Sequence, residues 1–443
     1  MNYMKSNICF TGFLAVLFIF AEFAESVARQ RMNPTYDINS LALSWEQYKL
    51  SNALRVVLQA DLDQREVSIE FWIHAGTRNE TQGKYGLAHF FEHATPYGLR
   101  EDRESRSLLR SHMTKSNAQT RKDYTRYYIQ VIPEGLELGL KYAADRLKAD
   151  TSAITNKSIE KHREKVLAEI ERNSRNPLWG AKATSAREAG TFGKAHPYGH
   201  SAYDTRLENN NFTAQDVKQW YDEYVFASNT ILFVVGNFDL EAAKRFIERY
   251  FGQIHQKDER TSFNAVSAQH SFESITIETA SEHHNVSLTW AIPEWDVTVD
   301  AVCRLLARIL DKRLASDDAF PSSVIETESS YLLRMYELAG QFGVLANFSS
   351  LDDSTVIENG LQKNIDRIIR LGVSEEELAQ ARQREITVNP GNAQEIRLYR
   401  QQNRAAGRRA LVYRKPRLLY DKAAETVGID HRGYSECSKK MAR

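Results

Sequence analysis

Two histidines and a glutamate lie within the pentapeptide His89-Phe90-Phe91-Glu92-His93. On a helix, residues four apart lie nearly above one another, so His89 and His93 can offer two imidazole nitrogens to one metal ion. This geometry suits zinc, which takes neutral imidazole ligands and keeps one position open for water in catalytic sites. Glu92 then lies beside the metal without binding it. The pentapeptide therefore predicts a site in which Glu92 takes the proton of a zinc-activated water.

The order of the letters, H-x-x-E-H, is the inverse of the zincin pattern H-E-x-x-H, and both patterns use a glutamate as general base. Three fixed letters also recur by chance, and a helix with two exposed histidines is an ordinary object. A catalytic zinc requires a third protein ligand. Glu169 is a candidate, because it lies 76 residues after His93 (169 − 93) in the stretch from His162 to Glu171.

With this spacing the sequence resembles the pitrilysin/insulinase family of inverted zinc peptidases, in particular the two-domain type that includes the β subunit of the mitochondrial processing peptidase. The family pairs H-x-x-E-H with a glutamate about 76 residues on, in a helix that reads roughly E-R-x-V-x-x-x-E, and Glu169 falls on that ligand. The resemblance implies one zinc ion per chain, with His89, His93 and Glu169 as ligands and Glu92 as the base.

The same resemblance implies an α+β fold of two related α/β-sandwich domains, each with a mostly antiparallel sheet flanked by helices. The length of 443 residues fits two domains of roughly 200 residues. We expect a zinc-binding peptidase domain over 41–255, a polar linker over 256–272, and a pitrilysin-like domain over 273–443. The last carries no second H-x-x-E-H, which predicts a domain without a metal site.

Composition argues against nucleic acid as a partner. Hydrophobic residues make up 42% of the chain and charged residues 26%, and Lys plus Arg balance Asp plus Glu at 58 each. A balanced chain of ordinary globular composition gives no electrostatic reason to expect binding to nucleic acid or to a membrane surface.

The first residues predict export. A lysine precedes an apolar run from Ile8 to Ala21, which is followed by the small-x-small site Ser26-Val27-Ala28. This pattern is typical of a signal peptide, here residues 1–28, and the run is short for a membrane span. We expect an exported protein, periplasmic or secreted, with no stable span after cleavage. An uncleaved membrane anchor is the alternative, although two glutamates follow the run.

The three cysteines do not form a disulfide scaffold. Cys9 belongs to the predicted signal peptide, while Cys303 and Cys437 lie far apart in sequence, and a single bridge between them stays open. Cys303 stands in an apolar helical run, which favours core packing.

Hydrophobic periodicity and turn residues predict the elements that position the site. They are a hairpin over Tyr48–Leu58, a half-buried strand over Val67–Ile73, a helix from Pro133 to Leu147, and a strand over Val286–Ile292 followed by a helix from Val299 to Leu310. The strand over Val286–Ile292 echoes the one over Val67–Ile73, which suggests that the second domain is built like the first.

An N-A-x-T segment provides candidate substrate contacts. In the family this segment is an edge strand that pairs with the backbone of the substrate, and Asn117, Ala118 and Thr120 match it. An edge strand binds any extended peptide through main-chain hydrogen bonds and leaves selectivity to pockets. The alternative is an ordinary strand with no role in binding.

Two departures from the family lie near the predicted metal site. The position seven before the metal-binding glutamate is usually glutamate and is His162 here, which would weaken support around the ligands or add a rival ligand. Pro96 falls where the metal helix continues in the family. Proline has no N–H to donate to the carbonyl of Glu92, so we expect the helix to end or kink just past His93.

A third departure concerns partners. Family members carry an arginine and a tyrosine seven apart in a second-type domain that reaches the active site, and in two-domain members the partner subunit supplies them. Here Tyr331 matches the tyrosine, but Val324 stands at the arginine position. A homodimer is possible but would lack the arginine, so we favour a heterodimer with a related, metal-free subunit. Tyr331, or its counterpart on that partner, is expected to stabilise the oxyanion.

The hypothesis is therefore an exported zinc endopeptidase that hydrolyses small unfolded peptides. One rival is a catalytically silent structural or regulatory subunit that keeps the fold. A second is a peptide-binding module that uses only the edge strand. Four polar groups predicted to converge argue for the enzyme, because a scaffold has no need of them.

Overall fold

The computed structural model describes residues 45–94, 103–148, 151–174, 181–201, 212–257, 284–329 and 333–387. The described residues belong to two compact units, 45–257 and 284–387. Residues 1–28 and most of the expected linker lie outside the described residues, so the signal peptide and the linker bounds stay predictions. Within the described part of the chain, no helix is long and apolar enough to cross a membrane.

The first unit combines six strands with seven helices in its described residues. Its strands are β1 (Glu46–Lys49), β2 (Arg55–Ala60), β3 (Val67–Ile73), β4 (Met113–Thr120), β5 (Thr125–Val131) and β6 (Thr230–Gly236). Its helices are α1 (Leu87–Ala94), α2 (Arg103–His112), α3 (Leu136–Leu147), α4 (Asn156–Ser174), α5 (Ala181–Phe192), α6 (Ala214–Tyr224) and α7 (Leu240–Phe251).

The six strands form one sheet in the order β1-β2-β6-β3-β5-β4. The β2–β6 pair is parallel and the other pairs are antiparallel. The predicted hairpin over Tyr48–Leu58 is confirmed by β1 and β2, which pair Tyr48 with Val56. The expected edge strand corresponds to β4, which stands last among the described strands of the sheet. The strands β1 and β2, which precede the helix with the two histidines, and β4, which follows it, thus belong to one sheet.

The sequence prediction for Val67–Ile73 was wrong in one respect. All seven residues of β3 are buried, not every second one. The strand lies between β6 and β5, and both of its faces are covered: Ile69 and Phe71 belong to the main core, and Trp72 packs with Phe233 on the opposite face. The polar Glu70 is accommodated because its carboxylate accepts hydrogen bonds from Ser68 and from the indole N–H of Trp72.

Helix α3 covers the first face of the sheet. The helix predicted from Pro133 to Leu147 is confirmed, with a short 3₁₀ turn at Pro133–Gly135 before α3. Leu140, Ala144 and Leu147 repeat at helical spacing and are fully buried against the sheet. This packing fixes the position of α3 against the sheet.

The second unit has a smaller described sheet. Its strands are β7 (His284–Ile292), β8 (Val324–Glu328), β9 (Arg334–Met335) and β10 (Gly340–Phe348), and its helices are α8 (Val297–Ala315), α9 (Ser354–Leu371) and α10 (Glu375–Thr387). The described strands run antiparallel in the order β7-β10-β8, and β9 also pairs with β10. A sheet flanked by helices in each unit confirms the predicted α+β architecture.

Helix α8 begins two residues before its predicted start and ends five residues after its predicted end. The extension follows the apolar pattern, because Leu314 lies four residues after Leu310 and both are buried. Cys303 lies in the same buried face and is a free thiol, as core packing predicts. Burial raises the pKa of this thiol to about 12.

An ion pair fixes α10 against α8. The guanidinium of Arg313 donates to both carboxylate oxygens of Glu377, at 2.6 and 2.9 Å. The hydrogen bonds from Arg313 lower the pKa of Glu377 from 4.5 to about 2. A carboxyl whose pKa is lowered by folding stabilises the folded state at every pH above its pKa in the unfolded chain. This contribution is lost as the pH falls toward 2, the pKa in the folded state.

We expect Glu377→Gln to lower the free energy of unfolding by about 1 kcal/mol at neutral pH, since the pair is partly exposed and screened by solvent. The difference from the unmodified protein should shrink between pH 4.5 and 2. Thermal unfolding at several pH values measures it, with the exposed Glu375→Gln on the same helix as control. A difference that stays constant over this range would contradict the assignment.

Candidate metal centre

Helix α1 carries His89, Glu92 and His93. It begins after Gly86, whose φ of 92° lies in the left-handed region that favours glycine. Leu87, Phe90, Phe91 and Ala94 are buried in the main core. These apolar residues fix the rotation of the short helix, so that both histidines lie on one side of it.

Helix α4 presents Glu169 to that side. Val166 and Ile170 are fully buried, and Glu169 lies three residues after Val166, so it stands one turn further along that side of α4. Because α4 packs against α1, the Glu169 carboxylate reaches both histidines. Residues that are 76 positions apart in sequence, His93 and Glu169, thus lie next to each other in the fold.

The ligand atoms of His89, His93 and Glu169 all lie within 4.8 Å of one another. The Nε2 atoms of the two histidines are 3.2 Å apart. The Glu169 oxygens lie 3.7 Å from His89 Nε2 and 3.2 Å from His93 Nε2. Ligands at 2.0–2.1 Å from a tetrahedral zinc are about 3.3 Å apart. Two imidazoles and one carboxylate at these separations fit a zinc ion.

The electrostatics of His89 agree with a ligand role. Burial, and then the neighbouring His93, lower the pKa of His89 to about 4. His89 is therefore a neutral imidazole at neutral pH, the state in which a ring nitrogen can donate its lone pair to a metal.

His162 lies on α4 two turns before Glu169. Burial, and then Lys165 and His93, lower the pKa of His162. Its Nδ1 atom is buried without a hydrogen-bond partner. Among the described residues, the converging group has the three members His89, His93 and Glu169, and His162 is not one of them. His162 thus stands beside the group and does not replace a ligand in it.

Glu92 lies next to the group with its carboxylate held in place. The hydroxyl of Thr120 donates a hydrogen bond of 2.7 Å to Glu92 Oε2. Burial raises the pKa of Glu92, and the Thr120 hydrogen bond and His93 act in the opposite direction. Thr120 ends strand β4, so the edge strand leads to the carboxylate predicted to act as base.

The other candidate substrate contacts lie further along β4. Asn117 is exposed and Ala118 is half-buried, while Thr120 is buried. The Thr120 side chain therefore faces Glu92, and its hydroxyl is engaged there. Its role as a partner of the base was missed by the sequence analysis, which treated it only as part of a substrate-binding strand.

Glu80 fixes the beginning of α1 and was also missed. Its buried carboxylate accepts hydrogen bonds from the backbone N–H of Gly86 and of Ala88, at 2.9 and 2.8 Å. His200 Nε2 lies 3.0 Å from Glu80 Oε2 and 2.8 Å from the carbonyl oxygen of Thr77. A negative charge at a helix N-terminus satisfies unpaired amides and complements the helix dipole. The sequence did contain a signal for this role of Glu80, because an acidic residue stands shortly before the glycine that precedes the helix.

We expect Glu80→Gln to destabilise the first unit by about 2 kcal/mol, because the amide has only one oxygen and leaves one of the two buried helix N–H groups without its acceptor. Thermal unfolding measures the loss, and zinc titration should show weaker binding because α1 carries both histidines. The matched control is Glu241→Gln, a charge removal at the exposed first turn of α7. Equal unfolding temperatures for the two variants would contradict this role for Glu80.

Tyr331 lies outside the described residues, so its role stays a prediction. Val324 begins β8 in the second unit and is half-buried. Pro96 also lies outside the described residues, and α1 spans Leu87–Ala94.

Comparison with known families gives the relationship. The model described as insulinase (peptidase family M16) matches residues 55–205, and the model described as the peptidase M16 inactive domain matches residues 211–385. The chain belongs to the insulinase family of peptidases, M16. The first match contains the pentapeptide with Glu92 and the candidate ligand Glu169. The second covers the unit in which the sequence analysis found no metal motif.

Named relatives of this M16 chain include both peptidases and subunits of other assemblies. The zinc protease PqqE of Helicobacter pylori is 24% identical over 309 residues, which is 65% of this chain and 68% of that protein. Cytochrome b-c1 complex subunit 1 of Caenorhabditis elegans is 23% identical over 372 residues, 78% of this chain and 75% of that protein. Some other relatives match over about half of their length.

The fold of the M16 chain is also found among solved structures. A protease from Helicobacter pylori superposes with a TM-score of 0.66 at 18% identity, over 79% of this chain and 86% of that one. Identity this low establishes the fold and not the activity. Together with the family match, it confirms the predicted family and fold class.

Proposed function

We propose that this chain is a zinc-dependent endopeptidase that hydrolyses small unfolded peptides. The observation that carries the proposal is the convergence of His89, His93 and Glu169 beside Glu92. The donor set and its separations suit zinc. When bound there, zinc supplies a Lewis acid that polarises a carbonyl and lowers the pKa of a water toward neutrality.

The chain's own residues supply the rest of the chemistry. The Glu92 carboxylate takes a proton from the attacking water and passes it to the leaving amine. The Thr120 hydroxyl orients this carboxylate through its 2.7 Å hydrogen bond to Oε2. Tyr331, or its counterpart on a partner, is the proposed oxyanion donor.

Strand β4 is the proposed substrate platform. It stands at the end of the described sheet, and Ser116 and Asn117 are exposed along it. An extended peptide that added to β4 through main-chain hydrogen bonds would run alongside the strand toward Thr120 and Glu92. Such binding suits unfolded peptides, because a folded substrate keeps its backbone hydrogen bonds occupied.

The test is cleavage of a library of quenched, unstructured peptides by the zinc-loaded protein. We expect internal cleavage that a chelator abolishes and that added zinc restores, with products identified by mass spectrometry. Cleavage that is unaffected by chelation would refute the zinc mechanism. Zinc-loaded protein that cleaves no peptide, alone or with its partner, would refute the peptidase.

The second candidate is a catalytically silent subunit. It is favoured by the similarity to cytochrome b-c1 complex subunit 1 and by the departures at His162 and Val324. Zinc content separates the two proposals, because a silent scaffold does not require the metal. A purified protein that binds no zinc would support the scaffold.

A related, metal-free partner subunit and export complete the proposal. The partner is supported by the valine at position 324, where the family has arginine, and by relatives that are named as subunits. Co-purification from the native source tests for it. Export is supported by the sequence of residues 1–28, and mature protein that begins after Ala28 in a periplasmic or secreted fraction is the expected result.

A further inference from the structure

The residue four positions after Glu92, which would donate to its carbonyl in a continued α-helix, is a proline. In an α-helix this oxygen accepts a hydrogen bond from the N–H four residues on, and here that residue is Pro96, which has none. The carbonyl belongs to the proposed general base and lies one peptide from the ligand His93. A hydrogen bond to this oxygen therefore affects the positions of both Glu92 and His93.

Arg146 on α3 provides the replacement donor. Its Nη2 atom donates to the Glu92 carbonyl oxygen at 3.3 Å, across 54 residues of sequence. Arg146 is buried, with 7% of the residue exposed. A buried guanidinium at this end of α1 also complements the partial negative charge of the last helical carbonyls.

The guanidinium is itself held in place. It lies 4.2 Å from the centre of the Tyr127 ring, and Tyr127 stacks on Phe71 in the middle of the sheet. Helix α3, which carries Arg146, is fixed in the core by the buried residues Ala143, Ala144 and Leu147. A planar cation stacked on a buried ring loses little freedom when it donates a hydrogen bond.

We infer that Arg146 is a positioning residue that replaces the missing amide of Pro96 and holds the last turn of α1, so that Glu92 and His93 keep their places. Glu80 holds the opposite end of the same helix through the N–H groups of Gly86 and Ala88. The eight-residue helix is thus fixed by a carboxylate at its start and a guanidinium at its end. The consequence for catalysis rests on the proposed peptidase function, whereas the consequence for the helix does not.

The test compares Arg146→Met and Arg146→Lys with a matched control, Arg163→Met. Arg163 also donates to a backbone carbonyl, that of Phe212 at 2.7 Å, and also lies near a ring, that of Phe90 on α1 at 5.7 Å. It does not donate to Glu92 in the hydrogen bonds that the structure describes. The control therefore removes a guanidinium from the same region without releasing the Glu92 carbonyl.

Three readouts are measured on the full chain. They are amide hydrogen exchange over residues 91–94 without metal, zinc affinity by chelator competition, and kcat and KM on a cleaved peptide. We expect Arg146→Met to speed exchange in this turn, to weaken zinc binding about tenfold, and to lower kcat about tenfold with little change in KM. Arg146→Lys should recover part of each effect, and Pro96→Ala added to Arg146→Met should also recover part by supplying an N–H.

Arg146→Met that matches Arg163→Met in exchange and zinc affinity would overturn the inference, as would Arg146→Lys that is no better than Arg146→Met. Should Arg146→Met fail to fold, the comparison of Arg146→Lys with Arg163→Met decides by the same readouts. A wild-type protein that cleaves nothing refutes the peptidase, while exchange in the metal-free protein still decides the role of Arg146.

Discussion

Replacing Glu92 by glutamine is expected to reduce peptide cleavage by about 10²–10⁴-fold, the usual contribution of a general base. The amide has nearly the same shape as the carboxylate and can still accept the hydrogen bond from Thr120, but it cannot take a proton from water. Because Glu92 lies outside the converging ligand group, zinc should remain bound. Steady-state kinetics together with zinc analysis of the same sample measures both effects.

The control for Glu92→Gln is Glu164→Gln, which removes an exposed carboxylate from α4. It should leave both cleavage and zinc content unchanged. If Glu92→Gln retained normal cleavage, Glu92 would not be the base. A third outcome is that the unmodified protein cleaves nothing and that both it and Glu92→Gln bind peptides equally well. This outcome would favour a peptide-binding module that uses only the edge strand.

Removing a ligand is expected to abolish zinc binding and activity together. His89→Ala and Glu169→Gln each leave two of the three ligands, and two ligands do not hold zinc against a chelator. The unmodified protein should also gain stability from the metal, by about 2.7 kcal/mol when free zinc is 100 times the dissociation constant. Thermal unfolding with and without zinc therefore gives a readout that does not depend on cleavage.

The comparison variant is His112→Ala, which removes a histidine on α2 that is not in the converging group. It should show the same zinc-dependent stabilisation as the unmodified protein. A His89→Ala protein that is still stabilised by zinc would show that the metal binds elsewhere.

The sequence predicted the parts of the site that follow from local spacing. His89 and His93 are four apart on a helix, and the family spacing pointed to Glu169, so the group that converges in the fold was named in advance. Helix limits were less accurate where an apolar pattern continued, as at Leu314. Burial of β3 on both faces was missed because it depends on the strand order, which alternation within one strand does not reveal.

The contacts that fix α1 could not be read from the sequence. Pro96 indicated that the Glu92 carbonyl lacks a donor, but only the fold brings Arg146 to it. Likewise, Thr120 was recognised as part of a strand, and its hydrogen bond to Glu92 depends on how α1 lies across the sheet. Long-range polar contacts of this kind have no periodic signature, since each depends on the packing of whole elements.

The most direct test is anomalous diffraction at the zinc edge from crystals of the zinc-loaded protein. The account predicts one zinc peak per chain, about 2.1 Å from Nε2 of His89, Nε2 of His93 and a carboxylate oxygen of Glu169. The Glu92 carboxylate should lie beside the peak without coordinating it. A loaded protein whose zinc lies on other residues, for example with His162 in place of Glu169, would contradict the account.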